Sequence, residues 1–120
     1  EFMNGMFSKC WNFNQPLDKW DVRRIEDMSH LFEGCYEFNQ FINNWDVSNV
    51  INMEKMFLCC IEFNSDLDNW DIQNVEDMDE MFSNCKQFNK DISNWDIRYI
   101  ETCDDMFLNC PISAQNHPVY

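Results

Sequence analysis

The sequence contains few of the residues that most often form turns, catalytic sites or contacts with anions. Glycine occurs twice, histidine twice and proline three times in 120 residues. Only eight residues are Lys or Arg against 22 Asp or Glu, so the net charge is −14. This balance argues against nucleic acid and anionic membranes as partners, because both require Lys and Arg to neutralise phosphate. It favours solubility and partners that are cations or proteins with a basic surface.

Long hydrophobic runs are also missing. The longest uninterrupted apolar run is a few residues, far short of the roughly 20 that cross a bilayer. We therefore expect no membrane insertion by this segment, and no signal peptide is visible.

A strict period of 25 residues dominates the chain. Phe-Asn and Trp-Asp pairs recur at this spacing without insertion, as do single Phe and Cys positions. The four columns that we interpret as structural are Trp20, Trp45, Trp70, Trp95; Asp21, Asp46, Asp71, Asp96; Asn14, Asn39, Asn64, Asn89; and Phe32, Phe57, Phe82, Phe107. A period of this length is typical of repeat architectures, in which each unit buries its apolar face on its neighbours.

The repeats divide the chain into a single domain, residues 1–120. A partial repeat covers residues 3–12, full repeats cover 13–37, 38–62, 63–87 and 88–112, and a tail covers 113–120. Because the chain opens Glu1-Phe2-Met3 and starts in mid-repeat, we expect a fragment of a longer array or a very short one. The tail leaves the pattern, with Pro118 inside it, and is expected to be a small cap or frayed.

Within a repeat, apolar residues first occur at every second position and then at every third or fourth position. Trp45 to Ser48 alternates apolar and polar residues, which predicts a short strand. From Val50 to Cys60 the apolar residues are spaced as on a helix. One strand and one helix per repeat predict an α/β fold, a right-handed parallel β/α solenoid with a 25-residue repeat.

The Asp and Asn columns each have a structural and a functional interpretation. Stacked carboxylates could hold calcium, but each repeat supplies one Asp, so accepting hydrogen bonds from turn backbone is the simpler role. The Asn column is similarly expected to satisfy turn backbone. The Trp column could form a carbohydrate platform, although core packing is the simpler interpretation.

Seven cysteines are present, and five of them form a column: Cys10, Cys35, Cys60, Cys85 and Cys110. Their spacing matches no zinc motif. We expect buried, mostly reduced thiols, with disulfides between adjacent repeats as the alternative. A reduced column suits a reducing compartment.

No catalytic, cofactor or metal site can be assigned. His30 and His117 are isolated, and no Ser/His/Asp or Cys/His arrangement is present. We therefore predict a protein that is not an enzyme and has no cofactor. If function lies in exposed positions that vary, the candidate interaction face comprises Lys19, Arg23, Asn44, Ser48, Asn69, Gln73, Asn94 and Arg98.

The pattern F-N-x-x-(I/L)-x-x-W-D-(V/I)-x-x-(V/I)-x-x-M-x-x-M-F-x-x-C covers about residues 3–112. It resembles the bacterial surface-protein repeat of 25–26 residues, found in mycoplasma lipoproteins and in BspA-like proteins of bacteria, protists and large DNA viruses. The resemblance implies a leucine-rich-repeat-like fold, a role in protein interaction, surface display or adhesion, and a cell-surface or secreted location. It implies no catalytic residues. Family repeats often have Ala or Gly where this chain has its Cys column.

Self-assembly is the alternative function. The N-terminal partial repeat places Met3, Met6 and Phe7 at positions whose equivalents are expected to be core. Trp20, Val22 and Ile25 should also be partly exposed. We therefore expect a structural unit that stacks through its ends, and a homodimer through the N-terminal end in particular.

Overall fold

The computed structural model describes all 120 residues as a stack of turns in which each 25-residue repeat lies on the next. The only helix is a single 3₁₀ turn, Ala114–Asn116. Strand pairing is limited to isolated parallel bridges. They link Phe2 to Asp27, Asp27 to Asn52, Asn52 to Asp77, Asp77 to Thr102, and Asp96 to Val119.

The predicted β/α solenoid is therefore wrong. No helix covers Val50–Cys60 or its equivalents, no strand covers Trp45–Ser48, and there is no sheet. Nor does the structure contain a helix of the length and apolarity that a membrane crossing requires.

Consecutive β-turns replace the predicted helix. In the second full repeat the N–H groups of Met56, Leu58 and Cys60 each donate to the carbonyl three residues earlier, at 2.9–3.2 Å. A helix would use the carbonyl four residues earlier throughout. We call the segments that contain these turns, residues 3–10, 28–35, 53–60, 78–85 and 103–110, the turn ladder.

Backbone hydrogen bonds hold adjacent segments of the turn ladder together. Alternate residues donate to the carbonyl 24 residues later, for example Met53 to Asp77, Lys55 to Asp79 and Phe57 to Met81, at 2.8–3.0 Å. The intervening N–H groups close the turns. In residues 53–60 every N–H thus has a partner, with Asn52 Oδ1 accepting the N–H of Glu54, although no regular helix or sheet is present.

Two residues in each turn-ladder segment adopt a positive φ. They are Gly5 and Lys9, His30 and Gly34, Lys55 and Cys59, Glu80 and Asn84, and Asp105 and Asn109, with φ between 53° and 72°. Each is the third residue of a turn, where a type II turn requires this conformation. Only two of the ten are glycine, so eight side chains tolerate a backbone conformation that ordinarily favours glycine.

The core is a set of aromatic and aliphatic columns that run along the stack. Phe7, Phe32, Phe57, Phe82 and Phe107 form one column, in which neighbouring ring centroids are 5.5–5.8 Å apart. Phe13, Phe38, Phe63 and Phe88 form a second, with spacings of 5.8–5.9 Å. Each internal repeat covers the next, and Phe32, Phe57 and Phe82 are fully buried.

The tail folds over the first half of the last repeat. Ile92 N–H donates to Asn116, Ile97 N–H donates to Val119, and Val119 N–H donates to Trp95. His117 packs on Phe107, with ring centroids 4.8 Å apart. At the N-terminal end we expected Trp20, Val22 and Ile25 to be partly exposed. Trp20 is 42% exposed, as expected, whereas Val22 and Ile25 are buried.

Candidate functional site

The candidate interaction face lies on the outside of the stack, beside the Trp-Asp pairs. Seven of its eight residues are exposed and Ser48 is half-buried. They form two columns, Lys19, Asn44, Asn69, Asn94 and Arg23, Ser48, Gln73, Arg98. The structure thus places these residues at the surface, and a role for them in binding stays a prediction.

Each Asp of the Asp column closes a turn with the residue two positions later. Asp46 Oδ1 accepts a hydrogen bond from the N–H of Ser48 at 3.0 Å. Asp21, Asp71 and Asp96 accept from the equivalent N–H groups at 3.1–3.2 Å. These are the turn contacts expected for the column, although no helix follows. The structure contains no cluster of three His, Cys, Asp or Glu side chains that could hold a metal ion.

The side chain two positions later also binds the carboxylate. Ser48 Oγ donates to Asp46 at 2.6 Å, and the Arg98 guanidinium donates to both oxygens of Asp96 at 3.0 and 2.8 Å. The side-chain hydrogen bond from Arg98, followed by the backbone N–H, lowers the pKa of Asp96 to about 2. The hydroxyl of Ser48 likewise lowers the pKa of Asp46.

Side-chain ladders join the repeats elsewhere on the molecule. Asn14, Asn39 and Asn64 each accept, through Oδ1, the backbone N–H of the next Asn in the column at 2.9–3.0 Å. The indole N–H groups of Trp45, Trp70 and Trp95 donate to carbonyls of the preceding repeat at 2.9–3.2 Å. These three rings are buried, whereas Trp20, at the same repeat position, is exposed.

A groove of about 300 Å³ opens on the interaction face between the third and fourth full repeats. Its apolar floor consists of Trp70, Ile72, Val75, Trp95 and Ile100. Asp71, Gln73, Asn94, Asp96 and Tyr99 form its polar rim. Gln73 and Asn94 were among the predicted residues, whereas Tyr99 was missed.

Tyr99 occupies a position that links neighbouring repeats elsewhere. The equivalent Asn49 and Asn74 donate through Nδ2 to the carbonyls of Arg23 and Ser48, both at 2.7 Å. Tyr99 has no amide to offer Gln73, and its ring is 83% exposed. The lost contact coincides with the groove. The sequence does show that this repeat position, which is Asn at Asn49 and Asn74, changes to Tyr at Tyr99.

The two carboxylates on the groove rim differ in how far their negative charge is compensated. Asp96 is bound on both oxygens by Arg98. Asp71 is bound only by Gln73, through its N–H at 3.1 Å and its side-chain amide at 3.2 Å. An incoming cation would therefore meet an uncompensated charge at Asp71 and a neutralised one at Asp96.

The histidines lie elsewhere, each with local partners. His30 Nδ1 is 2.7 Å from Glu33 Oε2, and its Nε2 is 3.9 Å from Glu54. His117 contacts Phe107 and Tyr120.

Comparison with known proteins gives one match. A family model described as Mycoplasma protein of unknown function, DUF285, matches residues 1–119. Neither the curated proteins nor the solved structures yield a match. The resemblance to mycoplasma repeats is thus confirmed at family level, while the narrower BspA-like assignment is not confirmed. The chain therefore belongs to the DUF285 family.

Proposed function

We propose that the chain is a non-enzymatic interaction module that binds a protein partner through the groove at Tyr99. The observation that supports this most is the combination of an apolar floor and an uncompensated carboxylate in one solvent-facing groove. Such a site suits a peptide segment that places an apolar side chain against Tyr99 and Ile100, the most accessible apolar residues of the groove, and a Lys or Arg side chain on Asp71.

The charge of the molecule supports a partner of this kind. With a net charge of −14 the protein attracts basic surfaces at long range. The resemblance to repeats of mycoplasma lipoproteins and BspA-like proteins supports surface display or adhesion as the setting. The proposal is of binding rather than catalysis because the groove contains no nucleophile beside a general base.

Selection of peptides from a random display library tests the proposal. We expect the selected peptides to share a Lys or Arg next to an apolar residue. Asp71→Asn should weaken their binding about tenfold in Kd, as the loss of a charge-assisted hydrogen bond of about 1.5 kcal/mol implies. Tyr99→Asn should abolish binding, because the new amide can donate to Gln73 and close the groove, as Asn74 does to Ser48. Calorimetric titration with one selected peptide measures both effects.

Asp21→Asn provides the matched control. It makes the same substitution as Asp71→Asn at another position of the Asp column. Because Asp21 is remote from the groove, this variant should leave the Kd for the peptide unchanged. Peptides without a common basic residue, or equal affinity for the wild type and Tyr99→Asn, would refute the groove as the binding site.

A further inference from the structure

One backbone carbonyl at the groove lacks the partner that its equivalents have. The carbonyls of Arg23 and Ser48 each accept a hydrogen bond from an Asn side chain of the next repeat, at 2.7 Å. The equivalent carbonyl of Gln73 accepts no hydrogen bond from the chain, because Tyr99 occupies the position of the Asn. Gln73 is exposed and lines the groove. Its carbonyl is therefore an acceptor that a ligand in the groove can use.

A second contact between the same two repeats is also lost beside the groove. The N–H groups of Ile51 and Glu76 each donate to the carbonyl 25 residues earlier, at 2.7 and 2.8 Å. The equivalent N–H of Glu101 makes no hydrogen bond, and the carbonyl of Glu76 accepts only the N–H of Thr102, at 3.2 Å. The third and fourth full repeats are thus joined by fewer hydrogen bonds here than the preceding pair.

Two positions of the Asp column show which cation this turn binds. Arg98 donates through Nε and Nη2 to the two oxygens of Asp96, at 3.0 and 2.8 Å. Arg23 Nε lies 3.2 Å from Asp21 Oδ2. In both turns the Asp also accepts the backbone N–H of the same Arg, at 3.1–3.2 Å. A carboxylate in this turn can therefore bind a guanidinium and keep its turn hydrogen bond.

Asp71 lies in the same turn but has no Arg two positions later. Gln73 takes that place, and it supplies its backbone N–H at 3.1 Å and its neutral side-chain amide at 3.2 Å. Each carboxylate oxygen has a second lone pair for a further donor. The groove therefore presents two acceptors two residues apart, the charged carboxylate of Asp71 and the carbonyl of Gln73.

We propose that the groove binds an arginine side chain of its partner in preference to a lysine, an inference that rests on the proposed function of the groove. The guanidinium donates to Asp71 as Arg98 does to Asp96, and a further N–H donates to the carbonyl of Gln73 as the Asn side chains do elsewhere. A guanidinium has five N–H donors in a fixed planar fork, which serves both acceptors at once. The ammonium of lysine is a compact point charge without this geometry.

The Arg98 side chain of the protein itself is held elsewhere on the rim. Its guanidinium binds both oxygens of Asp96. Its Cζ lies 5.5 Å from the centroid of the Tyr99 ring. An arginine of the partner therefore meets no competing guanidinium at Asp71.

One peptide from the display selection, synthesised with Arg, Lys or citrulline at its basic position, tests the proposal by calorimetric titration. Exchange of Arg for Lys should raise Kd about tenfold, because a charge-assisted hydrogen bond is lost. Citrulline has nearly the same shape as Arg but no charge, and it should also raise Kd about tenfold. With Asp71→Asn the Arg and Lys peptides should bind within about twofold of each other, because the carboxylate that distinguishes them is absent.

Gln73→Arg provides a second test within the protein. It places a guanidinium two residues after Asp71, as Arg98 follows Asp96, and should raise the Kd of the Arg peptide about tenfold. Gln87→Arg is the matched control, since it makes the same substitution with the same change of charge at an exposed residue outside the groove. It should leave Kd unchanged. The Trp fluorescence maximum establishes that each variant is folded.

The outcomes separate this proposal from the proposed function. Equal affinity for the Arg and Lys peptides, or an unchanged Kd for folded Gln73→Arg, overturns the preference for arginine. If Tyr99→Asn still abolishes binding in that case, the groove stands as the binding site. Binding that survives in Tyr99→Asn refutes the groove and the arginine preference together, as does a library that yields no binding peptide.

Discussion

At the scale of single residues, the most unusual feature is the set of eight non-glycine side chains at positive φ. This conformation costs an L-residue roughly 1–2 kcal/mol. The repeat requires it twice per turn-ladder segment, and the sequence supplies glycine only at Gly5 and Gly34. Stability is therefore lost at the remaining positions, and single substitutions should recover it.

Glu80→Gly should stabilise the protein by about 0.5–1 kcal/mol. Glu80 has φ 53° and shares its repeat position with Gly5. Relief of backbone strain should exceed the added flexibility of the unfolded chain. The contact of Glu80 with Lys55 is 3.9 Å long and partly exposed, so its loss should matter little. Urea unfolding measures the change.

Glu76→Gly is the control for this substitution. Glu76 is exposed and has no positive φ, so glycine should destabilise the protein there by about 0.5–1 kcal/mol. Destabilisation by both substitutions would mean that the turns do not impose the left-handed conformation at Glu80.

At the scale of the repeat, the buried indole rings couple one unit to the next. Trp70 is 3% exposed, and its Nε1 donates to the carbonyl of Ile42 at 3.0 Å. Trp20 is its equivalent in the first repeat, but it is 42% exposed. The two positions thus carry the same residue with different burial.

Trp70→Ala should destabilise the protein by about 3–5 kcal/mol, since it leaves a cavity and an unsatisfied carbonyl between two repeats. Trp20→Ala should cost about 1–2 kcal/mol, because less surface is buried there. Denaturant melts followed by near-ultraviolet circular dichroism give both values. Equal effects of the two substitutions would mean that Trp70 is not the coupling residue that its burial indicates.

The sequence predicted the period and the stacking columns but not the backbone conformation between them. Met53, Met56, Phe57 and Cys60 are three and four residues apart, as on a helix. Turns closed between residues three apart return side chains to the core at the same spacing. The apolar periodicity therefore could not distinguish a helix from a series of turns. The hydrogen bonds that favour turns over a helix join one repeat to the next, so no pattern within a single repeat indicates them.

The sequence identifies exposed positions but not the groove among them. All eight residues of the candidate interaction face except Ser48 are exposed, and their role in binding a partner stays a prediction. The groove depends on an inter-repeat hydrogen bond that Tyr99 cannot make. That bond joins the side chain of one repeat to a carbonyl of another, so the sequence shows the change to Tyr99 but not the hydrogen bond that the change removes.

At the scale of the whole molecule, the Cys column lines the stack with thiols. Cys35, Cys60 and Cys85 each donate Sγ–H to a carbonyl of the preceding repeat at 3.0 Å. Burial raises the pKa of Cys35 to about 12 and the pKa values of Cys60 and Cys85 well above the ordinary range. These thiols remain protonated at neutral pH, and all seven cysteines are free.

We therefore expect the seven thiols to differ sharply in reactivity. Cys10 is exposed and should react first with a thiol reagent, whereas Cys60 and Cys85 are fully buried and should react only when the stack unfolds. Titration in denaturant without reductant should find seven free thiols, and peptide mapping after a brief native reaction should locate the label at Cys10. Oxidation of the column would remove the protons that satisfy the carbonyls of Phe7, Phe32 and Phe57. Disulfides between neighbouring repeats in the folded protein would contradict this account and favour an oxidising compartment.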